Sequence, residues 1–179
     1  AGPFTTLAAV RGVTVAAGAN EFAQLDLLPI DGLQPEGTLS GDFHVHGGAS
    51  FDSNAPHMER MRSFLASRVQ VIAATEHDAA WDFAEARDFY DADDRVAIMV
   101  GTEATGHILY KFLENSEFPK VFGHWNIWPL PFDPEGAWRG APWDEKAEPG
   151  MLLTRAAALG WSAEDGVFQL NHPIAANQF

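Results

Sequence analysis

Apolar and polar positions follow two different regimes along this chain, and the change falls near residue 37. Before it, Val13-Thr14-Val15 and Phe22-Ala23-Gln24-Leu25-Asp26-Leu27 read as short β-type segments around the turn-like cluster Ala17-Gly18-Ala19-Asn20. Pro29, Asp31-Gly32, Pro35 and Gly37 then break the pattern. Residues 1–36 are therefore expected to be a hairpin, or the tail of an accessory β module, without chemistry of its own. Over residues 37–179, short apolar runs alternate with helical spacing. Strands are expected over 39–45, 69–74, 96–100, 121–128 and 167–170. Helices are expected over 56–68, with Met58, Met61 and Leu65 on one face, and over 79–90, with Phe83, Ala86 and Tyr90. A third helix over 151–159 would end at Gly160, a suitable C-terminal cap. Residues 101–120 are less regular, and 129–148 form a loop rich in Pro, Trp and Asp. Alternating strands and helices predict an α/β fold with a parallel sheet.

Metal-ligand side chains recur where the apolar runs end. His44 and His46 lie two apart on one strand, so both rings project to the same side, with Asp42 on that side to orient them. His77 follows the second run, between Glu76 and Asp78; Asp78 reads either as a helix N-cap or as an outer partner of the site. Glu103 follows the third run and could bridge two cations, the usual means of holding them close despite their repulsion. His124 and His172 are placed to complete a second ion's shell. Asp52 reads as a ligand of a third ion with His77, or as a turn residue. His57 and His107 fit no strand-end pattern and are expected to be structural or solvent-exposed. Trp125, Trp128, Trp138 and Trp143 either line an aromatic pocket or pack their loop.

Composition narrows the function classes. The 179 residues allow one domain, with or without a short appendage, and 46% hydrophobic residues supply a core. A formal charge of −14 argues against broad binding to nucleic acid or anionic membrane, but ions held at the site would offset part of it locally. No apolar run approaches the ~18 residues of a membrane span. No signal peptide is visible; since the chain does not begin with methionine, a leader could have been removed, and an extracytoplasmic location stays open beside a cytosolic one. With no cysteine, disulfides, thiolate nucleophiles and zinc ribbons are excluded. Histidine and carboxylate ligands suit zinc, manganese or iron, and the high histidine count leans to zinc.

The ordered set of five motifs over residues 38–175 resembles the polymerase and histidinol phosphatase (PHP) superfamily of metallohydrolases. Gly41-Asp42-Phe43-His44-Val45-His46, Ser50-Phe51-Asp52-Ser53, Gly123-His124-Trp125-Asn126 and Gln169-Leu170-Asn171-His172-Pro173 look like its carbaryl hydrolase-containing branch. The resemblance implies a distorted seven-stranded β/α barrel, present here in part. It implies one ion on His44, His46 and Glu103, a second on Glu103, His124 and His172, and a third on Asp52 and His77. A metal-activated water would then hydrolyse a small-molecule phosphate, carbamate or carboxylic ester, with Glu103, His124 and His172 at the reacting centre. The family pattern closes with an Asp-x-His motif that does not occur after His172. The expectation is a truncated chain, or one completed by a further segment of the same protein; the alternative is a metal-binding or interaction module without turnover.

Overall fold

The computed structural model describes residues 12–24, 28, 30, 32–112, 119–121 and 123–173, with backbone alone over 107–112 and 119–121. Three parallel strands form the first sheet in the order β1 (Gly41–Val45), β2 (Val71–Ala74), β3 (Ala97–Val100). Helix α1 (His57–Ser67) connects β1 to β2, and the short α2 (Ala84–Phe89) lies between β2 and β3. Helix α1 turns its buried Met61 and Phe64 onto Val45, Ile72 and Ala74 of the sheet, where Phe83, Ala86 and Val96 join them. It ends at Arg68, which takes a left-handed conformation (φ 57°) and donates its N–H to Leu65 O.

The second sheet is antiparallel, in the order β4 (Thr102–Ala104), β7 (Trp125–Trp128), β8 (Val167–Leu170). Between β4 and β7 the chain forms an antiparallel pair, β5 (His107–Phe112) and β6 (Pro119–Val121). Helix α3 (Pro149–Ala158), with proline in its first turn, lays Leu152 and Ala156 against Ala104, Ile127, Leu130 and Trp161 in a second core. Gly101 joins the sheets: a Cβ there would lie 2.6 Å from Ile127 O and 2.7 Å from Trp128 Cβ, so only glycine passes. Beyond it, β4 is stitched to the segment after β2, with Glu103 N–H donating to Glu76 O and Asp78 N–H to Glu103 O, each at 3.0 Å.

Several expectations are corrected. Among the described residues the parallel sheet is limited to β1–β3, extended by one parallel bridge between His77 and Glu103, and no closed barrel forms. Of the strand expected over 121–128, Val121 belongs to β6, residue 122 lies outside the described residues, and Trp125–Trp128 form β7, which runs antiparallel to both neighbours. The helix expected over 79–90 shortens to Ala84–Phe89, because Ala80 N–H is taken by Trp138 O and Trp81 bridges to Gly101. Residues 12–24 form no strand and are exposed throughout, burying no face on which to pair; 25–27 lie outside the described residues. No helix among the described residues is long and apolar enough to cross a membrane.

Candidate metal centre

Glu103 is the middle residue of β4, 1% exposed, and five imidazoles surround its carboxylate. His44 Nε2, His46 Nε2 and His77 Nδ1 lie 3.1, 3.0 and 3.5 Å from Oε2. His124 Nδ1 and His172 Nε2 each lie 3.2 Å from Oε1, to which Asn171 Nδ2 donates at 2.8 Å. A carboxylate offers about four lone-pair directions and one negative charge. Six groups converge on it here, more than it can satisfy, and five charged rings around one carboxylate would repel. His77 Nδ1 is a buried nitrogen with no hydrogen-bond partner. Neutral rings aiming lone pairs at a shared carboxylate are a donor set that fits divalent cations.

The donor atoms fall into three overlapping groups that could each hold an ion: His44, Glu103 and His172; His46, Asp52 and His77; and His77, Glu103 and His124. Within each, the atoms lie within 4.8 Å of one another. This redistributes the ligand sets that the family resemblance implies. His172 joins His44, His46 joins Asp52 and His77, and His77 also reaches toward Glu103 and His124.

Four pieces of backbone deliver the five rings. His44 and His46 leave the end of β1 on one side, ring centroids 4.9 Å apart. His77 follows β2, and Asp52, in the loop after β1, brings Oδ2 to 3.2 Å from its Nε2. Phe51, largely exposed, stacks on the His77 ring at 4.3 Å. His124 precedes β7 rather than following it: because β7 is antiparallel to β8, its N-terminal end meets the C-terminal end of β8, and Asn171 N–H donates to His124 O at 2.8 Å. His172 follows β8 with φ 26°, a strained backbone value of a kind that collects at functional sites. The expectation that all ligands leave the C-terminal ends of parallel strands is thus corrected, while their convergence stands.

Other residues build the surroundings, and local sequence did not single out Glu76, Ser50, Asn126, Asn171, Thr105 or Asp144 among them. Glu76 is fully buried; its Oε1 accepts from Gly47 N–H (2.8 Å) and His57 Nε2 (2.7 Å), and its Oε2 from the Ser50 hydroxyl. Ser50 Oγ also meets His46 Nδ1 at 2.9 Å and the His77 N–H at 3.0 Å. Across the sheets, Asn171 Nδ2 reaches Asn126 Oδ1, and Asn126 Nδ2 reaches Phe43 O, tying β8, β7 and β1 together. His57 packs against Trp81 and Phe83, a structural role as expected; the side chain of His107 lies outside the described residues. Asp42 accepts from the His44 backbone N–H, bracing the strand at the ligand itself. Asp78 caps no helix: its carboxylate accepts from the N–H and hydroxyl of Thr105, whose N–H also reaches Asp144 Oδ2. Asp82 serves the helix instead, accepting from Ala84 N–H.

Burial would push the Glu103 carboxyl up, but hydrogen bonds from His124, His44, His46 and Asn171 hold it far below the usual carboxylate range. Glu76 is likewise depressed: burial opposes this, and the bonds from His57 and Ser50 outweigh it. For His46, burial works against the charged ring, yet Glu103 and the charges of Asp52 and Glu76 raise its pKa. For His77, burial prevails over the carboxylates of Glu103 and Asp52, assisted by repulsion from His46, and its pKa falls.

The five histidines, Asp52 and Glu103 line an open cavity of about 460 Å³. No tryptophan is among its lining residues: Trp125 stacks on Phe168, Trp128 stacks on Phe43, and Trp138 lies tilted against Trp143, so these tryptophans pack rather than line the site. Comparison of the chain with family models and with curated proteins returned no match.

Proposed function

We propose that this chain is a metal-dependent hydrolase of ester bonds, related in plan to the PHP-type metallohydrolases that its motifs resemble. The observation that carries the reading is the convergence of five imidazoles on one buried carboxylate. His44, His46, Asp52, His77, Glu103, His124 and His172 would hold two or three divalent ions, zinc foremost, with manganese or iron compatible with the same donors. Bound there, such ions supply Lewis acidity, lowering the pKa of a coordinated water and drawing charge from the ester oxygen.

The chain's own residues supply the rest. Glu103 offsets the mutual repulsion of neighbouring cations, and Asn171 fixes which way its carboxylate faces. His172, whose side chain is 41% exposed, sits at the cavity mouth. With Glu103 and His124 it makes up the group we assign to contact the reacting ester. The described residues lining the cavity include no lysine or arginine to pair with a phosphate, and the chain is strongly acidic. Both features favour an uncharged carbamate or carboxylic ester over a phosphate ester.

The test is hydrolysis of 4-nitrophenyl acetate, an aryl N-methylcarbamate and 4-nitrophenyl phosphate by zinc- or manganese-loaded protein. The expected outcome is chelator-sensitive turnover of the first two, lost in Glu103→Gln. Bound metal with no turnover of any of the three would overturn the hydrolase reading in favour of a metal-binding module.

A further inference from the structure

The buried Glu76–Ser50 pair sits directly behind a ligand ring, and its hydrogen-bond directions are fixed. Glu76 is an acceptor only, so the single Ser50 hydroxyl proton points to Glu76 Oε2. Ser50 Oγ must then accept from both remaining neighbours, the His77 N–H at 3.0 Å and His46 Nδ1 at 2.9 Å. We infer that Glu76, acting through Ser50, is a positioning residue that holds the proton on Nδ1 of His46, so that Nε2, 3.0 Å from Glu103 Oε2, is the nitrogen left to give its lone pair to an ion. The inference rests on the metal-binding reading above for its consequence, but the proton on Nδ1 is a property of the metal-free chain, in which Nε2 faces the Glu103 carboxylate.

The pair is built to leave no alternative. Glu76 is fully buried, and a Cβ at Gly47 would fall 2.7 Å from Glu76 Oε1 and 2.6 Å from His57 Cδ2, so the backbone itself closes over the carboxylate. This makes Glu76→Gln a polarity test with little change in shape. The amide oxygen must take the Gly47 side, because an NH₂ there would face the Gly47 N–H at 2.8 Å. The amide nitrogen then faces Ser50 and donates to it. With Oγ now accepting from Gln and from the His77 N–H, the hydroxyl proton turns to His46 Nδ1. His46 is thereby driven to the Nε2–H tautomer, which presents a proton to Glu103 and no lone pair to a cation.

The experiment is long-range ¹H–¹⁵N correlation of the imidazoles in metal-free protein, with zinc affinity measured by competition against a chromophoric chelator. Wild type is expected to show a proton on His46 Nδ1. In Glu76→Gln the Nδ1 proton is lost, the ring keeps its proton on Nε2, and zinc affinity falls by about 10–100-fold. Ser50→Ala removes the lock while Glu76 keeps its Gly47 and His57 partners; it is expected to leave the Nδ1 proton only partly held and to give a loss of similar size, and it carries the test alone if circular dichroism shows Glu76→Gln unfolded. A wild-type His46 without a proton on Nδ1, or variants that keep Nδ1–H at wild-type affinity, would overturn the inference. The predicted Nδ1 proton in a wild type that binds no zinc would overturn the metal reading and leave the lock standing.

Discussion

Glu103 has one charge to share among five rings, and this sets what single substitutions do. Glu103→Gln keeps the shape but removes the negative charge that offsets neighbouring cations. At least one ion per chain is expected to be lost, along with turnover; full occupancy by elemental analysis at an undiminished rate would refute the bridging role. Asp144 offers a separate test through pH. Burial first, then the hydrogen bond and charge of Asp78, push its carboxyl up to about 8. The unfolded side chain loses its proton near 4, so between about pH 4 and pH 8 the folded state binds more protons and stability falls as pH rises. Asp144→Asn, neutral at every pH, is expected to melt higher than wild type at pH 9 and close to it at pH 4; parallel melting curves across that range would contradict this. The candidate ligand residues other than Asp52 were legible in sequence because each lies beside or within an apolar run. Glu76, Ser50, Asn126 and Asn171 were not, since a polar residue beside a ligand reads the same whether it turns inward to a partner or outward to water.

At the level of elements, β1, α1, β2, β3, α3 and β8 all appear close to where periodicity places them. What periodicity could not give is strand direction. The run Trp125-Asn126-Ile127-Trp128 has the same apolar signature whether it pairs parallel or antiparallel, and its partners are set by connections far away in sequence. Nor does an apolar run that continues past a glycine announce a change of sheet, as β3 into β4 does at Gly101. That junction is testable. Gly101→Ala must push Ile127 and Trp128 apart from the β3–β4 corner, and overpacking of this kind costs about 1–3 kcal/mol. A lower denaturation midpoint is expected, with weaker metal binding because Glu103 lies two residues on. An unchanged midpoint would show that the corner has room the close contacts deny.

For the molecule as a whole, the candidate centre joins two halves with separate cores. His44, His46 and His77 come from the parallel sheet and its loops, whereas Glu103, His124 and His172 come from the antiparallel one. An ion bridging them would bind the folded state alone, so zinc at 100 times its dissociation constant would add about 2.7 kcal/mol of stability. Chelation should therefore lower the melting temperature, and zinc should restore it; a melting temperature indifferent to both would separate folding from the site. The most direct test of the central claim is zinc-edge X-ray absorption on protein dialysed to constant metal content. Two or three zinc ions per chain are expected, with a first shell of nitrogen and oxygen at about 2.0–2.2 Å and the multiple scattering of several imidazoles. Less than one ion per chain, or a shell without imidazole, would contradict it.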